Sequence, residues 1–192
     1  MTPLGSVVGL QVQRSPLKPG PRETREYDPS PLLQVEVLDI DPRGCIGRTG
    51  GERVLDVHHA DHPQTRNRRL ANGLSLLTRT AYDRLRQAYG DHLVDGIAGE
   101  SVLLDTPEAV ELSGRLLLET EDGGVLALHD IAPAPPCVEF SRFALDREPG
   151  PVDEEVLAAL SALGDGARGW YASTSGTSGT GRVRVGARLW RA

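Results

Sequence analysis

The chain has 192 residues, a formal net charge of −6, two cysteines and one lysine, Lys18. That length suits a single domain over residues 1–192 that buries its core without disulfide staples, and the acidic balance speaks against nucleic acid as a partner. Two cysteines fit a reducing cytoplasm rather than a secreted disulfide framework. No apolar run reaches the roughly 20 residues of a membrane helix, and Met1-Thr2-Pro3-Leu4-Gly5-Ser6 lacks the charged start and apolar core of a signal peptide.

In chain order, Gly5 to Val12 reads as a first strand, β-branched and bounded by glycine and proline. Ser15 to Pro31, rich in proline, glycine and charge, is a predicted loop. Leu32 to Ile40 alternates apolar and polar residues as one half-buried strand, closed by the turn residues Asp41-Pro42-Arg43-Gly44. Cys45 to Asn72 is polar and irregular. Leu74 to Leu77 is a short strand feeding a helix that Thr78 or Thr80 caps and Gly90 ends. Short strands follow at Ser101–Leu104, Arg115–Thr120 and Val125–Leu128, the last two joined by a turn at Glu121-Asp122-Gly123-Gly124.

After Pro136-Cys137, Val138 to Leu145 is a short amphipathic helix. A firmer one spans Asp153 to Leu163, with Val156, Leu157, Leu160 and Leu163 as its apolar face. The chain closes with a predicted hairpin, Gly169–Ser173 against Arg182–Gly186, whose tip at 174–181 is exposed and mobile. Many short strands, few helices and no strand–helix alternation point to a mostly β fold, a barrel with a few short peripheral α-helices.

Cys137 is the residue that most suggests chemistry. Prolines before it stiffen the backbone and remove donors, so its thiol is presented in a fixed direction. A nucleophile, a sulfur carrier and a metal ligand all need that; a small buried hydrophobe does not. Lys18 sits in a Pro/Gly-rich stretch, so no internal lysine suits a Schiff base. Pyridoxal phosphate chemistry would enter only through a partner.

Gly96-x-x-Gly99-Glu100-Ser101, Pro136-Cys137, Gly169-x-Tyr171 and Gly181-x-Val183-x-Val185-Gly186 occur in that order. Together they resemble the signatures of the MOSC domain, named for the C-terminal part of molybdenum-cofactor sulfurases and found also in small stand-alone proteins. Three departures stand out. Serine replaces asparagine at 101, Ala187 stands where aspartate is expected, and Asp56-Val57-His58 is at most a remnant of the family's Gly-Asp-Arg-His.

The resemblance implies a β barrel and Cys137 as the working residue, with three readings of its role. In one, Cys137 ligates the molybdenum of a molybdenum-pterin cofactor, and the protein reduces small N-hydroxylated substrates. Electrons then come from a separate donor protein, since the chain has no flavin or iron–sulfur motif. In the second, Cys137 carries persulfide sulfur from a cysteine desulfurase. In the third, the domain is a degenerate scaffold.

A pterin cofactor also carries a phosphate. Gly96 and Gly99 would let backbone N–H groups approach it, and Arg66, Arg68, Arg69 and Arg142 are candidate guanidinium grips or plain surface charges. Glu100 and Ser101 would orient donors beside the cysteine loop, or merely cap a turn. His58, His59 and His62 lack metal-ligand spacing; His58 and His59 are the better candidates for an active-site role.

Overall fold

The computed structural model describes residues 1–22, 24–177 and 179–192. The elements are β1 (Thr2–Gln13), β2 (Leu32–Gln34), β3 (Val37–Asp41), β4 (Gly44–Thr49), β5 (Glu52–Leu55), β6 (Leu74–Thr78), α1 (Arg79–Tyr89), β7 (Val102–Asp105), β8 (Leu116–Glu119), β9 (Val125–Pro133), α2 (Val138–Ala144), α3 (Glu154–Ala162), β10 (Trp170–Ser173), β11 (Gly181–Val183) and β12 (Arg188–Arg191). Seven strands close a barrel in the order β1-β12-β8-β9-β10-β6-β7 and back to β1, with β2 added to the far end of β1. The fold is the mostly β barrel with short peripheral helices that the strand pattern predicts.

Every barrel pairing is antiparallel except β6 with β7, where Leu76 faces Val102 and Thr78 faces Leu104. Parallel neighbours need a crossover, and α1 with the loop after it provides one. Thr78 caps that helix, its hydroxyl accepting the Ala81 N–H at 3.1 Å, and the Gly90 N–H returns to the Arg86 carbonyl at 2.9 Å. Both wall strands are apolar on two faces because both faces are covered. Leu74, Leu76, Val102 and Leu104 enter the barrel core, while Leu77 and Leu103 join Tyr82, Leu85, Phe140 and Leu163 in a second cluster beneath the helices. Each buried leucine contributes about 2 kcal/mol of transfer free energy.

A smaller sheet, β11-β3-β4-β5, packs Leu38, Ile40, Cys45 and Val183 into the barrel core. Here the structure corrects the sequence reading. The single strand predicted for 32–40 is two, because the chain changes sheets between neighbours: the Val35 N–H bonds Leu10 of the barrel, and the Glu36 N–H bonds Arg48 of the smaller sheet. The stretch read as irregular from Cys45 contains the hairpin β4–β5, turned by Gly50 and Gly51, both at positive φ (56° and 83°). Two such residues in a row are the mark of a tight hairpin turn.

The predicted terminal hairpin does not form. β10 pairs with β6 and β9 in the barrel, whereas β11 pairs with β3 in the other sheet. Of the described residues in the connection between them, Ser175, Gly176, Gly179 and Thr180 are exposed as expected of a tip, while Thr174 and Thr177 are buried. On α3 the buried stripe is Val156, Ala159 and Leu163; Leu157, read as part of it, is 53% exposed. The described residues of 15–31 form no strand or helix, yet Leu17 and Tyr27 anchor that loop in the second cluster. Glu23 and Ser178, within the predicted loop and tip, lie outside the described residues.

Candidate functional site

A cavity of about 230 Å³ opens at one side of the barrel, against β6 and β10. Ser75, Leu76, Trp170 and Tyr171 come from those strands, Gly99 and Glu100 from the turn before β7, and Lys18 and Tyr27 from the 15–31 loop. His58, Arg66 and Arg168 complete its polar lining.

Cys137 is not among the residues that line this cavity; it follows Ala134, which does, by three residues and stands directly before α2, half-buried and packed against the second cluster. Its carbonyl accepts the Ser141 N–H at 3.0 Å and the Ser141 hydroxyl at 2.9 Å, which fixes the start of the helix. Burial works to lower the Arg168 pKa, but the attraction of the negative charge that Cys137, Tyr27 or Tyr171 would carry if ionised outweighs it, and the net shift is upward. Burial pushes the pKa of both phenols up against the opposing pull of Arg168, so they stay protonated donors.

Arg168 has few partners. Its guanidinium lies 4.6 Å over the Phe140 ring, makes one long bond of 3.4 Å to the Pro135 carbonyl, and leaves Nε buried with no acceptor. Lys18, Arg66 and Arg168 all line the cavity, Glu100 is the one acid on its wall, and none of the three cations pairs with a carboxylate among the described residues. A desolvated, unpaired guanidinium is costly, and the surplus positive charge favours an anionic ligand.

Glu100 is 4% exposed. Its Oε2 accepts the Tyr82 hydroxyl, and its Oε1 is buried with no partner. Burial raises its pKa to about 7, with the Tyr82 hydrogen bond opposing. The turn carrying it is held from β1: the Gln11 amide donates to the carbonyls of Gly96 and Glu100, each at 2.7 Å, and the Gln13 amide donates to the Gly99 carbonyl at 2.6 Å.

His58 lines the cavity and is oriented by Asp56, whose Oδ1 lies 3.0 Å from Nδ1. Asp56 is buried and also accepts the backbone N–H groups of Gln13 and His58, both at 2.8 Å.

The structure thus brings Cys137, Gly99, Glu100 and His58 together at or beside one cavity. The other residues singled out lie elsewhere. Gly96 faces the Gln11 side chain on the far side of the turn. Ser101 is buried in a bond to Ser75, hydroxyl to hydroxyl at 3.1 Å, tying the turn to β6. Arg69 is exposed and off the cavity wall, and so is Arg68. Arg142 points to a separate surface pocket and donates to the Gly150 carbonyl. His59 and His62 are occupied by Asp41 and by the Arg14 carbonyl. Among the described residues, no group of three or more His, Cys, Asp or Glu could hold a metal ion.

Arg168, Tyr27 and Lys18 were not singled out as site residues from the sequence. Arg168 directly precedes the Gly169-x-Tyr171 signature, a usable pointer. Tyr27 had none, lying in a stretch whose composition reads as loop.

No protein-family model matches the chain, and no curated protein matches it. Among solved structures it is similar to the YUAD protein from Bacillus subtilis, at 13% identity and a TM-score of 0.56, covering 96% of this chain and 93% of that one. A second, described as a hypothetical protein, matches at 12% identity and a TM-score of 0.55, covering 97% of this chain and 68% of that one. At such identities the likeness is one of fold.

Proposed function

We propose that the chain is a MOSC-type protein in which Cys137 supplies the one protein ligand to the molybdenum of a pterin cofactor. The observation that carries this reading is a half-buried thiol in a segment held by Arg168, which bonds Pro135 and lies over Phe140, has no carboxylate partner among the described residues, and lines a cavity with net cationic side chains. The residues present fit such a group. A soft thiolate suits a metal already bound by sulfur. Lys18 and Arg66 would meet a phosphate, while Glu100 Oε1, buried and unpartnered, would accept a ring N–H. Cys137 would add the chain's one thiolate to a metal that the cofactor's own sulfurs would otherwise hold. The cavity volume of about 230 Å³ is below the ~300–1,000 Å³ usual for small-molecule sites, so it would take one end of the cofactor.

Bound there, the cofactor would supply electrons, received from a partner protein, to reduce an N-hydroxylated small molecule. The chain's own residues would hold it and exclude water, with Glu100 and the Asp56-oriented His58 placed to keep or give a proton. Metal analysis of native protein tests the proposal. About one molybdenum per chain, lost in Cys137→Ser, is expected; metal-free native protein from molybdenum-replete cells overturns it.

A second reading is favoured by the small cavity: Cys137 as a carrier that accepts persulfide sulfur, with a cysteine desulfurase as donor. Labile sulfur on Cys137 in metal-free protein would select it. Absence of both metal and sulfur would leave the degenerate scaffold.

A further inference from the structure

The lining of the cavity specifies more than a thiol. Three cations face it, Arg168 reaches the cysteine segment by bonding the Pro135 carbonyl and lying over the Phe140 ring, and two protonated phenols share the wall. Guanidinium groups bind planar or tetrahedral oxyanions through paired N–H donors, and Arg168 Nε is a buried donor with nothing to bond. A volume of about 230 Å³ suits a small ion better than an extended molecule. A thiol beside an oxyanion receptor is the arrangement that accepts sulfur from an anionic donor.

We propose that this cavity binds a small oxyanion bearing a sulfane sulfur, thiosulfate being the simplest, and that Cys137 takes that sulfur while Arg168 holds the oxyanion end. The proposal rests on the sulfur-carrier reading of Cys137 and needs no molybdenum. The Cys137 thiolate attacks the outer sulfur of the donor. A bond forms between Sγ and that sulfur, the donor's S–S bond breaks, and sulfite departs with the bonding electron pair. The products are a persulfide anion on Cys137 and free sulfite, so no outside oxidant or reductant enters. Arg168 meets the charge that grows on departing sulfite, as a fixed cation does for a developing oxyanion. Tyr171 donates to a remaining oxygen, while the Tyr27 hydroxyl stays on the Ile97 carbonyl at 2.6 Å.

The test is incubation of purified protein with thiosulfate, read by peptide mass and by sulfite release. A single sulfur added to Cys137 with matching sulfite is expected, and neither in Cys137→Ser. Arg168→Gln should slow transfer about tenfold or more, the loss of one charge-assisted bond, whereas Arg53→Gln, exposed on β5, should not. Should Arg168→Gln fail to fold, sulfate serves instead, as a competitor that slows transfer to wild-type protein. No sulfur on Cys137, or transfer that neither the Arg168 variant nor sulfate slows, overturns the proposal. Molybdenum content is read separately, so either idea can fail alone.

Discussion

The Tyr82 hydroxyl donates to Glu100 Oε2 at 2.8 Å and accepts the Ala98 N–H at 2.9 Å, so one phenol oxygen ties the core helix α1 to the cavity turn. Burial raises the Glu100 pKa from 4.5 to about 7. Below 4.5 the group is protonated whether the chain is folded or not. As pH rises from there to about 7, the unfolded chain gives up the proton and the folded one keeps it, so stability falls by roughly 3 kcal/mol across that window. Urea midpoints of wild type and Glu100→Gln, taken from pH 4.5 to 8, should diverge in this direction, the variant lacking the decline. Parallel profiles would place the proton elsewhere.

Native protein should take up iodoacetamide at Cys137 and spare Cys45. Cys45 is 0% exposed, donates to the Gly73 carbonyl, and has its pKa raised chiefly by burial and then by Asp56 and Asp41. Modification of Cys45 should appear only in denaturant, and peptide mapping distinguishes the two. Labelling of Cys45 in the native state would contradict the core packing described.

Gly169 and Gly186 both hold positive φ, at 98° and 94°, but only Gly169 is crowded: a Cβ there would sit 2.5 Å from the Leu76 carbonyl oxygen of β6. Gly186→Ala should cost about 1 kcal/mol, from backbone strain alone. Gly169→Ala should cost roughly 3 kcal/mol or more, because β6 and β10 must part. Thermal unfolding of the two variants measures the difference; equal losses would remove the clash.

Asp56→Ala leaves the N–H groups of Gln13 and His58 without their acceptor and frees the His58 ring. The expected loss is about 3 kcal/mol in urea unfolding, with Asp56→Asn milder because one carbonyl oxygen remains. A change below about 0.5 kcal/mol, the usual surface value, would show that the ring and turn are held by other contacts.

Much of the barrel is readable in the chain because β6, β7 and β8 are short, apolar and punctuated. α1 declares itself through Thr78, which caps it as expected, and α3 through its acidic start, where Asp153 turns out to be the cap. What the pattern hides is exchange between sheets. Val35 and Glu36 pair with different sheets although adjacent, and β11 is three residues long with its partner far back in the chain, at Leu38–Ile40. Neither leaves a periodic trace. In the site, Glu100 and Cys137 stood out by local context. Arg168 acquires its meaning from Tyr27 and Phe140, which only tertiary packing delivers.

The barrel is sealed by its first strand meeting its last, Thr2 opposite Arg191 and Ser6 opposite Arg188. During synthesis, β1 must therefore wait, one edge bare, until the final strand leaves the ribosome. Such distant pairing makes for slow folding, and the wall that carries the cavity becomes a closed cylinder only at that last step.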